Sequence, residues 1–157
     1  MKIERILVPV DYSPCSRVAV RFAMAVAARF QASLDIVHVW DRPSYVSNVL
    51  LTTTEPVSGK SLIRLIQENA QHDLDEFLAS VGHSPGAALS GRLLSGDPAS
   101  ALLQELKEGR HDAVVVGTHG RTGLSHVRLG SVAEKLVRLS PVPVMTVPDE
   151  AAQTLRA

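Results

Sequence analysis

Residues Ile3–Phe30 read IERILVPVDYSPCSRVAVRFAMAVAARF, and the two halves of this stretch follow different rhythms. Ile3 to Val10 is a short aliphatic run, the pattern of a buried strand. From Ser13 to Phe30, Val18, Phe22, Val26 and Phe30 recur every four residues beside Ala19, Ala23 and Ala27, which draws one apolar stripe on a helix. Pro14 suits the first helical turn and Ser13 the N-cap before it.

The rest of the chain repeats this alternation. Ser33 to Val39, Ala113 to Gly117 and Val142 to Val147 read as strands, with a weaker one over Ala87 to Leu94. The unbroken apolar runs ILVPV, AVVVG and VPVMTV suit strands covered on both faces by helices. Between them, Ser61 to Val81 keeps a helical period. A third helix is capped by Asp97, opened by Pro98 and closed by Gly109, and SVAEKLVRL, from Ser131 to Leu139, forms a fourth. The alternation predicts a doubly wound α/β fold with right-handed crossovers. At 157 residues and 45% hydrophobic composition the chain makes one domain with a real core. Asp41 to Gly59, with Pro43, Pro56 and three consecutive threonines, is expected to be a long loop, and the tail from Asp149 is expected to fray.

Composition excludes several classes. Sixteen basic residues balance sixteen acidic ones, so no global charge draws the chain to nucleic acid or to an anionic membrane. Neither a signal peptide nor a membrane span is visible, and Cys15 is the only cysteine, which excludes an internal disulfide. A cytoplasmic location is the expectation. The six histidines match no zinc spacing, so no protein-held metal is expected. Cys15, in the first turn of the first helix, reads either as a thiol activated by the helix dipole or, more simply, as a small partly buried residue.

The stretch with most chemistry is GTHGRTGLSHVRLGS, from Gly117 to Ser131. It follows a strand and opens a helix, and βα loops at carboxyl strand ends are where open α/β sheets bind ligands. Gly117, Gly120 and Gly123 allow positive φ and close backbone approach, while Gly130 and Ser131 stand where the helix offers unpaired N–H groups to an anion. His119, Arg121, His126 and Arg128 add basic or hydrogen-bonding character. Taken alone, the same residues are more simply a set of turns with Ser131 as N-cap and the basic residues a solvated face. Asp11, beyond the first strand, is not needed as a cap and is placed to accept ribose hydroxyls if the first and fourth strands are neighbours; otherwise it is a solvated turn aspartate. Other nucleotide signatures are missing. VPVDYSP holds no glycine, and Gly59-Lys60-Ser61 has Thr54 where a P-loop needs its first glycine.

Three segments together, ILVPVDYS, SGDPASALL and the spacing Gly117-x2-Gly120-x9-Gly130-Ser131 with THGRTGL inside it, strongly resemble the universal stress protein family from Lys2 to about Pro148. The resemblance implies a nucleotide-binding domain over residues 1–148 with a tail over 149–157. It also implies a five-stranded parallel sheet of order 3-2-1-4-5 with two helices on each face, and membership of the branch that binds ATP. By that similarity Pro9, Val10, Asp11 and Val39 border adenine and ribose. Gly117, Thr118, His119, Gly120, Arg121 and Gly123, with Gly130, Ser131 and Val132, hold ribose and phosphates. Mg2+ or Mn2+ rides on the phosphates. The resemblance further implies a homodimer formed by antiparallel pairing of the last strand, Val142 to Val147, which covers an otherwise open edge.

No nucleophile paired with a base, no acidic metal cluster and no His-x-Gly-His or Ser-Gly-Gly-x-Asp-Ser motif is present. The nucleotide is therefore expected to be a regulatory or structural ligand in a stress response. A slow ATPase, or a dimeric partner-binding module with a vestigial pocket, is the alternative.

Overall fold

The computed structural model describes residues 2–40, 62–82, 86–120 and 129–151. The expected loop Asp41 to Gly59, the site residues Arg121 and Gly123, the basic residues His126 and Arg128, and the tail beyond Ala151 lie outside the described residues.

Five strands and four helices alternate: β1 Arg5–Val10, α1 Pro14–Phe30, β2 Ser33–Trp40, α2 Leu62–Val81, β3 Leu89–Ser95, α3 Pro98–Lys107, β4 Ala113–Gly117, α4 Ser131–Leu139 and β5 Val144–Val147. The strands are all parallel, in the order β3-β2-β1-β4-β5. The sheet is the expected one.

Its two faces carry separate cores. On one, Ile6, Val8, Leu34 and Ile36 meet Val18, Ala19, Ala23 and Ala27 of α1 and Leu74 and Phe77 of α2. On the other, Leu7, Val37, Val114 and Val116 meet Leu102 and Leu106 of α3 and Ala133 and Leu136 of α4. Ile6, Leu7, Leu34, Ile36, Leu74 and Leu136 are fully buried, and each such side chain contributes about 1.5–3 kcal/mol relative to exposure. The α1 stripe departs from expectation. Its alanines lie flat on the sheet, Phe22 and Val26 are only half-buried, and Phe30 is 53% exposed at the helix end.

Three strand starts differ from the sequence reading: β3 begins at Leu89 rather than Ala87, and the other two differ for a local reason. The N–H groups of Glu4 and Arg5 donate to Asp112 Oδ2 at 2.8 and 2.9 Å, so the ladder begins at Arg5 rather than Ile3. Ser140 Oγ bonds both the N–H and the carbonyl of Val142, and Pro143 has no N–H, so β5 begins at Val144. The helix ends follow the expected chemistry. Ser13 Oγ accepts from Ser16 N–H at 3.1 Å, Asp97 Oδ1 accepts from Ser100 N–H at 3.0 Å, and Gly109 takes φ 73° just past α3.

Candidate functional site

The site follows from the strand order. The chain leaves β1 toward β2 and returns at β4 on the other side, so the carboxyl ends of β1 and β4 open a crevice between their following loops. A cavity of about 280 Å³ lies there. It is lined by Pro9, Val10 and Asp11 after β1, Val39 at the end of β2, Gly117 to Gly120 after β4, and Gly130, Ser131 and Val132 at the start of α4. All expected site residues within the described chain therefore meet in one place.

The glycines are there for a different reason than free φ. Positive φ among the described glycines is confined to Gly82, Gly86, Gly96 and Gly109, none of them in the crevice. A Cβ at Gly117 would stand 2.9 Å from Cys15 Sγ and 3.3 Å from the Cys15 carbonyl, so this glycine lets β4 pack against the first turn of α1. A Cβ at Gly120 would stand 2.7 Å from Asp11 Oδ2. Close approach, rather than a left-handed backbone, selects them.

Gly130, not Ser131, is the N-cap of α4, with Ser131 the first helical residue. Gly130 N–H donates to Thr118 O at 2.7 Å, which ties the helix start to the end of β4. Having no side chain, Gly130 caps nothing, in contrast to Ser13 and Asp97 on α1 and α3. The first N–H groups of α4 thus face the crevice with the positive end of the helix dipole and no side-chain cap from Gly130.

Asp11 stands opposite. Its Oδ1 accepts from Ser13 N–H at 3.1 Å, a local turn bond that the sequence reading did not include, and its Oδ2 reaches the crevice beside Gly120. The residue between them, Tyr12, has φ 66°. His119 Nδ1 lies 2.9 Å from Thr118 Oγ1, and its buried Nε2 has no partner among the described residues. Cys15 is 2% exposed and donates to Val147 O at 3.4 Å. Burial pushes its thiol up, opposed in part by the His119 N–H, so it is the small buried residue and not an activated thiol.

The sequence did not signal the rest of the lining. Ser16, Val37, His38, Pro98, Leu102, Val116 and Ala133 complete the walls. Pro98 and Leu102 belong to SGDPASALL, where the cap chemistry of Asp97 accounts for only part of the motif.

A second polar cluster lies toward the other end of the sheet. The Arg92 guanidinium bridges Asp35 and Glu105, Arg110 also binds Glu105, and His111 Nε2–H donates to Asp35 Oδ2 at 3.0 Å. Burial pushes the Asp35 carboxyl up, but the hydrogen bonds from His111 and Arg92 and the Arg92 charge outweigh it and hold it well below the usual carboxylate range. Glu105 is likewise lowered against its burial, chiefly by Arg92. Asp35, Glu105 and His111 bring ligand atoms within 4.8 Å of one another, yet the position between the carboxylates is held by a guanidinium.

Comparison with known proteins agrees with this architecture. Universal stress protein YxiE of Bacillus subtilis (strain 168) is 31% identical over 146 residues, covering 92% of this chain and 98% of the relative. The solved universal stress protein UspA from Lactobacillus plantarum superimposes with a TM-score of 0.75 at 24% identity over 94% of this chain and 99% of the other, a likeness of fold. A universal stress protein solved in complex with cAMP is 27% identical, with a TM-score of 0.60 over 94% of this chain and 98% of the other. Residues 2–148 match the universal stress protein family as a whole, and the chain belongs to that family.

Proposed function

We propose that the crevice between β1 and β4 holds an adenine nucleotide, ATP in the first instance, as a bound ligand in a stress response rather than as a rapidly consumed substrate. The carrying observation is the uncapped start of α4 facing Asp11 across one cavity: N–H donors for phosphate on one side, a carboxylate for ribose hydroxyls on the other. The cAMP complex of a relative supports adenine nucleotides as the ligand class. Gly117 to Gly120 and Gly130 to Val132 take the phosphates, with Arg121 and Gly123 completing the loop. Pro9, Val10 and Val39 border the base.

The crevice lining carries one carboxylate, Asp11, among its described residues, too few acidic groups for a protein-built cage. Mg2+ or Mn2+ would accordingly bind through the phosphates. The lining pairs the Thr118 hydroxyl with His119 Nδ1 at 2.9 Å without an acidic metal cluster beside them among the described residues, and we propose that any hydrolysis is slow. No helix among the described residues is long and apolar enough to cross a membrane, and we place the protein in the cytoplasm. We also propose a homodimer through the β5 edge. Val137 and Leu139, 51% and 60% exposed at the end of α4, give it an apolar rim.

Mass spectrometry of the nucleotide released on denaturing the freshly purified protein, followed by incubation with labelled ATP and Mg2+, tests this reading. Retained, unhydrolysed ATP is the expected result; turnover above about 0.1 per second would sink the held-ligand reading. Sedimentation at micromolar concentration should show dimer only.

A further inference from the structure

The turn from β1 to α1 sends consecutive side chains to opposite faces of the sheet. Asp11 points into the crevice, while Tyr12 turns back over β2. The Tyr12 ring stacks on His38 with centroids 4.3 Å apart and planes 27° apart, and it meets Phe77 of α2 at 5.3 Å. His38 Nδ1 lies 2.8 Å from Val10 O; a carbonyl only accepts, so Nδ1–H donates and pins the imidazole to the last residue of β1. The Arg17 guanidinium lies over the Phe77 ring, 4.8 Å from its centroid.

This stack has a task. A φ of 66° is unfavourable for an aromatic residue and persists only where its surroundings enforce it. Without it, Asp11 and Tyr12 could not diverge as they do while Ser13 still caps α1 and donates its N–H to Asp11 Oδ1. The clamp therefore bears on the direction of the Asp11 carboxylate: Tyr12 packs with the core beneath α1 and α2, and His38, stacked on it, belongs to a strand end that also lines the crevice.

We propose that Tyr12 and His38 are positioning residues for ribose recognition: the Tyr12–His38 stack holds the strained turn that aims Asp11 at the sugar hydroxyls, and so sets the preference for ribose over a sugar without them. This rests on reading the crevice as a nucleotide site. It is tested by calorimetric titration of the full chain with ATP and with 2′,3′-dideoxy-ATP, which keeps base and phosphates. Wild type should prefer ATP by roughly tenfold to a hundredfold, the range of a hydrogen bond to a charged group.

Tyr12→Ala and His38→Ala should bring that ratio to within about threefold of unity, and in Tyr12→Ala, whose residue is not part of the lining, dideoxy-ATP affinity should change by less than about threefold. Tyr12→Phe, which keeps the ring, should retain the wild-type ratio, and Asp11→Asn should lose it. If Tyr12→Ala fails to fold by circular dichroism, His38→Ala carries the test through the same ratio, because it removes the stack and the hydrogen bond to Val10 O while leaving the residues of the turn unchanged. A ratio unchanged in the alanine variants, or parallel weakening of both nucleotides, overturns the positioning role. Equal binding of the two nucleotides by wild type overturns it too and leaves nucleotide binding intact; binding of neither removes the underlying reading as well.

Discussion

The two polar clusters of this protein solve opposite problems. Toward one end of the sheet, Asp35, Arg92, Glu105, Arg110 and His111 satisfy one another, with two carboxylates set against two guanidinium groups. At the other end, α4 begins with a glycine that caps nothing, and His119 Nε2 is buried without a partner among the described residues. A closed network stabilises the chain that contains it. An open one leaves donors without a partner among the described residues, and a bound ligand can satisfy them. Burial alone therefore does not identify a site: Asp35 and Glu105 are the more deeply buried acids, yet they are already spoken for.

Substitution separates the two clusters. The largest effect is expected in the open one. Gly130→Val places a branched side chain where Thr118 O is already 3.3 Å from a Cβ and where the phosphates are proposed to lie. ATP affinity by calorimetry should fall more than a hundredfold, at least about 2.7 kcal/mol, with little change in the thermal midpoint. Unchanged affinity would erase the distinction between the clusters. Asp35→Ala should do the reverse. It orphans His111 and half of the Arg92 fork, though Arg92, whose side chain is 38% exposed, keeps Glu105 and water. A loss of about 2–3 kcal/mol in urea unfolding is expected, with ATP affinity held to within about threefold.

What the sequence revealed divides along similar lines. Strands, helix caps and the order of elements are local, so Ser13, Pro14, Asp97 and Gly109 announce themselves. The meeting of Asp11 with Gly120 was legible only on condition that β1 and β4 are neighbours, which the motif resemblance supplied and the sheet order bears out. The reason for Gly117 was not legible at all. It depends on Cys15, which is 102 positions earlier in the chain and touches Gly117 only because α1 crosses β4. The Asp35 network was hidden in the same way: Asp35 and His111 are 76 positions apart, and nothing in LDIV or RHDAV pairs them.

Acid offers a graded way to sharpen the comparison. Asp35 and Glu105 both titrate below their ordinary range in the folded chain. A carboxylate lowered on folding contributes stability that is fully present above its unfolded pKa, near 4, and is lost as pH falls through the folded value. Unfolding free energy from urea titrations should therefore be flat above about pH 5 and decline from about pH 4 downward. Asp35→Asn with Glu105→Gln should flatten that decline. An equally steep decline in the double variant would assign the acid sensitivity elsewhere, with Asp112, held low by the Glu4 and Arg5 N–H groups, the first alternative.

The smallest expected effect concerns the helix starts themselves. Asp97 caps α3 with bonds to both the N–H and the hydroxyl of Ser100, and it is fully exposed, so its role is local. Asp97→Ala should lower the thermal midpoint by about 2–4 °C, as expected for loss of an N-cap. Pro98 and Leu102, which follow it, line the crevice, so fraying of this turn would reach the ligand wall. Leu102 is nevertheless 1% exposed and anchored against the sheet, and ATP affinity should change by less than about threefold. A larger loss of affinity would mean that a closed, self-capped helix start shapes the site as much as the open one does, and the division between satisfied and ligand-seeking ends would have to be redrawn around the crevice as a whole.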